Sequence, residues 1–121
     1  MHFRTTLIAL FAFACPAIAQ AQNLSGTYTS DRAGMEQQAI ITPTGNGGQS
    51  VKLSVSAERC VGKLDAIGRM QGDALVASPP KTDDSCRITI RKTGNGISID
   101  EDKCLYWHGA ACEFSGPYGR K

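Results

Sequence analysis

The sequence predicts an all-β fold, a small antiparallel up-and-down barrel or strongly curved meander of about eight strands held by two disulfides. Three observations predict it. Apolar and polar residues alternate in Val51-Lys52-Leu53-Ser54-Val55, Arg87-Ile88-Thr89-Ile90-Arg91 and Ile97-Ser98-Ile99-Asp100, the period of strands with one buried face. Turn chemistry rich in Gly and Asn recurs at short intervals. Outside an N-terminal leader the chain keeps four cysteines, Cys60, Cys86, Cys104 and Cys112, an even set that in an exported chain reads as two bridges.

The leader comes first in the chain. Met1 to Arg4 carry one positive charge, Leu7 to Ala14 form an apolar run, and Pro16 breaks it ahead of two small-x-small sites, Ala17-Ile18-Ala19 and Ala19-Gln20-Ala21. This is the pattern of a signal peptide over residues 1–21, and the run is far short of the roughly 20 apolar residues that span a bilayer. A second reading makes Cys15 the lipidated first residue of a lipoprotein. Both readings leave residues 22–121 as a single domain, periplasmic or secreted, with no membrane span.

Within that domain, strands are expected near 26–30, 37–43, 50–57, 61–70, 73–78, 86–92, 96–100 and 112–119. The turns between them are Thr44-Gly45-Asn46-Gly47-Gly48, Gln71-Gly72-Asp73, the Pro79-Pro80 segment and Thr93-Gly94-Asn95-Gly96. Each reads as a hairpin rather than a crossover, which favours an up-and-down order. Gly62, Gly68 and Gly72 would let the long fourth strand bend. An eight-stranded barrel is filled by its own side chains, so a stored ligand is not favoured.

Cys104 and Cys112 enclose a loop short enough to close directly. Cys60 and Cys86 begin strands separated by one other strand and would share an end of the sheet. The preferred pairing is therefore Cys60–Cys86 with Cys104–Cys112, the other two pairings remaining open.

Outside the leader, twelve Lys and Arg face eleven Asp and Glu, and no basic run exceeds Arg91-Lys92. Such a balance argues against a nucleic-acid groove or a polybasic membrane patch. His108 is the one histidine beyond the leader and there is no CxxC pair, so neither a metal site nor another cofactor is expected. Without a GxSxG elbow or a second histidine, no catalytic residue is assigned. Asp83, Asp84, Asp100, Glu101 and Asp102 read as solvated surface, lacking the spacing of a calcium loop. Nothing in the sequence sets the choice between monomer and weak dimer.

Tyr106-Trp107-His108 is the densest aromatic group, suited either to a binding hot spot or to plugging one end of the barrel. The ending that carries Cys104, His108, Gly109, Cys112, Phe114, Ser115, Gly116, Tyr118 and Arg120 resembles the C-terminal signature of small uncharacterised exported proteins of Gram-negative bacteria. That resemblance implies a periplasmic barrel and no particular reaction. The tetrapeptide SGxY occurs twice, as Ser25-Gly26-Thr27-Tyr28 and Ser115-Gly116-Pro117-Tyr118, and is similar to a loop of the periplasmic lysozyme inhibitors. This second similarity implies that Ser115 or His108 hydrogen-bonds the target's carboxylates while Tyr118 and Trp107 supply contact area. The competing reading places both tyrosines in strands, with each glycine at a strand's start. The functional expectation is an exported, non-catalytic binding protein of undetermined partner, with lysozyme inhibition as one alternative and a small-ligand or cell-envelope role as another.

Overall fold

The alternating segments form eight strands in the computed structural model, which describes residues 23–121. They are β1 (Gly26–Arg32), β2 (Met35–Pro43), β3 (Gln49–Ala57), β4 (Cys60–Gln71), β5 (Ala74–Ser78), β6 (Arg87–Thr93), β7 (Gly96–Asp102) and β8 (Gly116–Arg120). Each strand pairs antiparallel with its neighbours in the chain and β8 pairs with β1, closing the barrel. The proposed leader and Cys15 lie outside the described residues.

Pairing sets which side chains meet inside. Ile90 faces Ile99 on one side and Leu75 on the other, while Leu53 faces Leu64 and Ala39. These residues are buried, and with Val51, Val55, Ile88 and Ile97 they fill the interior with branched aliphatic side chains. Leu24 and Phe114, buried immediately ahead of β1 and β8, complete the core at opposite ends. Arg69, Arg87 and Arg91 are exposed on the outer surface, and the Arg91–Asp100 pair at 3.6 Å is solvated and adds little stability.

Gly68 shows why β4 can bend. Pairing with β3 ends at Gln49↔Gly68, and pairing with β5 begins at Ile67↔Ser78. A Cβ on Gly68 would lie 2.1 Å from the Val76 carbonyl oxygen and 2.6 Å from Ala77 Cα, so only glycine lets β5 approach this closely.

The disulfides correct the preferred pairing: they join Cys60 to Cys112 and Cys86 to Cys104. The β6–β7 hairpin explains the second bridge. Its register ends at Arg87↔Asp102, so Cys86 leaves the ladder next to the Lys103-Cys104 step, where Lys103 turns at φ 57° and the Cα atoms of Cys86 and Cys104 are 4.6 Å apart. The first bridge follows from an element the sequence reading left out. The chain after Cys104 makes one helical turn, α1 (Leu105–His108), so the loop does not close on itself. This turn seats on β4 and delivers Cys112 to Cys60, and β8 starts only at Gly116 rather than at 112.

Peptide mapping without reductant is expected to recover Cys60 linked to Cys112 and Cys86 linked to Cys104. Replacing Cys60 and Cys112 by Ala is expected to cost about 4 kcal/mol in urea unfolding, and replacing Cys86 and Cys104 about 3, from the loops each bridge closes. Gly68→Ala is expected to cost more than about 3 kcal/mol, because β5 backbone must move to admit the methyl group.

Candidate functional site

All four cysteines, α1 and the start of β8 gather at the end of the barrel where odd-numbered strands finish and even-numbered strands begin. Gly62 of β4 is the seat for α1. A Cβ there would be 2.5 Å from His108 Cβ and 3.0 Å from the Trp107 carbonyl oxygen. The absent side chain lets the helical turn press against the strand, and Gly109 ends the turn at φ 80°, a conformation that favours glycine.

His108 points inward from this seat. Its Nε2 lies 2.8 and 2.9 Å from the two carboxylate oxygens of Glu101, and its Nδ1 faces the Gly109 carbonyl. The side chains are 6% and 12% exposed, so this is a largely buried hydrogen-bonded pair, with the Phe114 ring edge-on to the imidazole at 5.0 Å. Glu101 Oε1 also accepts from the Phe114 N–H at 3.1 Å. Burial of charge is tolerable when it is paired and further hydrogen-bonded, and here both ring nitrogens are engaged. Glu101 is thus not the solvated carboxylate the sequence suggested. It occupies the inward phase of β7 after Ile97 and Ile99, opposite Ile88.

Asp84 also departs from the surface reading. One carboxylate oxygen accepts from the Trp107 Nε1–H at 3.2 Å and the other from the Cys86 N–H at 2.9 Å, tying α1 to the β5–β6 loop beside a disulfide. Asp83, Asp100 and Asp102 are exposed, as expected.

Ser115, Gly116 and Tyr118 serve closure of the barrel. The buried Tyr118 donates its O–H to the Phe114 carbonyl at 2.6 Å, and Tyr28 in the other SGxY copy donates to the Leu24 carbonyl at 2.9 Å. Each tyrosine therefore ties down the apolar residue four positions before it. Arg32 donates to the Ser115 carbonyl at 3.2 Å and covers Gly116, where a Cβ would be 2.1 Å from the guanidinium. Arg120 donates to the Ser25 carbonyl at 2.8 Å, covers Gly26 and stands over the Tyr28 ring at 5.7 Å. Gln37 adds two donations, to the Glu113 and Ser115 carbonyls at 2.8 and 3.1 Å. Both tyrosines thus lie in strands that begin at the glycine. Burial pushes the Tyr118 phenol well above its ordinary range, and the Glu101 carboxylate pushes in the same direction.

The aromatic group is split between packing and exposure. Trp107 is half-buried and packs on the core, whereas Tyr106 is 88% exposed and stands edge-on to the indole at 5.4 Å. Leu105 beside it is also exposed, as is Val61 at the start of β4. Among the described residues, no cluster of three or more His, Cys, Asp and Glu is arranged to hold a metal ion, and no helix is long and apolar enough to cross a membrane. No known protein family, curated protein or solved structure matches the chain.

Glu101→Ala and His108→Ala are each expected to destabilise the fold by about 3 kcal/mol in urea unfolding, since either strands a buried polar partner. The Tyr118 phenol ionises at higher pH in the folded chain than its ordinary value near 10, so it favours unfolding as pH rises above about 10. Stability measured from pH 8 to 12 is therefore expected to fall more steeply in the parent protein than in Tyr118→Phe.

Proposed function

We propose that the protein is an exported, non-catalytic binding module whose contact surface is the disulfide-framed cap formed by Leu105 and Tyr106. The observation that carries this reading is the 88% exposure of Tyr106 on a helical turn anchored from three directions. Below it, Trp107 holds the ring edge-on and bonds Asp84; beside it, Cys104 is bridged to Cys86; beyond it, Cys112 is bridged to Cys60. An apolar side chain presented on such a rigid base loses little conformational freedom on docking, the property of an anchor residue. Two disulfides and the leader-like start support an oxidising compartment. The burial of His108, whose side chain is 6% exposed and turned towards Glu101, supports the non-catalytic reading, because the ring is closed off from a substrate.

A muramidase is the partner class suggested by the SGxY similarity. Tyr118 is buried and committed to the barrel framework, so an inhibitor of this architecture would present Tyr106 to the target's cleft in its place. The filled interior favours this protein-binding reading over ligand storage.

The test is a titration of oxidised protein against lysozymes of the c, g and i types. Saturation at equimolar ratio is expected, with Tyr106→Ala weakening the complex by about 2 kcal/mol, roughly thirtyfold. No inhibition by a large excess would end the muramidase reading. Undiminished binding by Tyr106→Ala to any partner would end the assignment of the cap.

A further inference from the structure

We propose that a second surface, the groove on the outer face of β2, β3 and β4 beside Trp107, binds an acidic oligosaccharide. The groove encloses about 620 Å³, and Lys52, Lys63 and Lys81 line it with a single carboxylate, Asp65. None of these lysines is within ion-pair distance of a carboxylate, although Lys52 stands opposite Asp65 in the β3–β4 register. With twelve basic against eleven acidic residues beyond the leader, this local excess is not a by-product of a basic protein. Three lysines against one carboxylate leave the groove with a net positive charge, a local potential that selects anions.

The rest of the lining indicates which anion. Trp107 and Pro80, backed by the buried Pro79, give the groove apolar lining of the kind that packs against the C–H face of a pyranose ring, and Gln38 and Ser54 offer amide and hydroxyl groups to its hydroxyls. Those two residues and Lys63 also border an adjoining groove of about 510 Å³ that contains Asp31 and Glu36. A polyanion is therefore drawn to the lysine-rich half and repelled from the other, so only a short stretch of sugar acids is held. An acidic peptide fits less well. Peptides that bind sheets gain most from backbone pairing along a free edge, and this closed barrel offers none here, because β2, β3 and β4 are paired on both sides.

Calorimetry with a galacturonic acid hexamer at low salt tests the proposal, with cellohexaose, hexaglutamate and a single-stranded DNA hexamer as comparisons. The galacturonate hexamer is expected to bind best and to weaken as salt rises. The triple variant Lys52→Gln, Lys63→Gln, Lys81→Gln, whose changes are all on exposed side chains, is expected to melt as the parent does and to lose affinity about tenfold or more. Removing the same charge at Lys92, Lys103 and Lys121, which lie outside the groove lining, should leave affinity unchanged. Failure of the galacturonate hexamer to bind, equal losses in the two triple variants, or preference for hexaglutamate or DNA would each overturn the assignment.

Discussion

Closing the β1–β8 seam is the constraint on which the rest of the molecule depends. The ladder there consists of Tyr28↔Arg120 and Thr29↔Gly119, whereas β3 and β4 pair continuously from Gln49↔Gly68 to Ala57↔Cys60. The Lys121 N–H, bonded to the Thr27 carbonyl at 2.9 Å, extends the seam by little. A sheet with so short a final ladder would otherwise present long edges, so other forces must complete the ring. They come from side chains: a tyrosine ties each apolar plug to its strand, and an arginine from the neighbouring strand locks the serine carbonyl and glycine ahead of it. Individually such bonds contribute about 1 kcal/mol, more where a charged donor is involved. Together they fix where β8 begins and hence where the chain leaving α1 must arrive.

The disulfide-bearing end is built in layers on that closed ring. Phe114 fills the mouth, the His108–Glu101 pair lies edge-on against it, and α1 rests on Gly62 above both. Two cross-links then bind the two sides of the cap to separate strands: Cys112 to the start of β4, and Cys104 to the residue before β6. A four-residue helical turn has little stability of its own, so its order derives from this packing and cross-linking. The same anchoring holds Trp107 between two surfaces, its indole supporting Tyr106 and lining the lysine groove.

Strand order and most strand positions were legible in the sequence because period-two alternation and Gly-Asn turns are local signals that the barrel reinforces. Closure stayed open between a barrel and a curved meander, and the expected last strand began too early. Gly68 was legible as a bend, and the strand reading of both SGxY copies anticipated the location of Tyr28 and Tyr118. Pairing of the cysteines was less accessible, because it depends on hairpin register and on the hidden helical turn rather than on loop length. Counting back from the Gly94-Asn95 turn would have brought Cys86 opposite Lys103, one residue short of Cys104. Glu101 carried a readable signal as well, a charge on the inward phase of a strand whose other inward residues are isoleucines. The partnerships of Arg32 with Ser115 and of Asp84 with Trp107 carried none, since they join positions far apart in the chain that meet only after closure.

Native-state hydrogen exchange at the seam tests this account most directly. If side-chain locking makes β1 and β8 part of one cooperative unit, their ladder amides will exchange with the same opening free energy as those of β3 and β4. The unlocked double variant Arg32→Ala, Arg120→Ala will then lower that value across the whole barrel. Exchange of the β1 and β8 amides through local opening in the parent protein, several kcal/mol more easily than in β3 and β4, would contradict it.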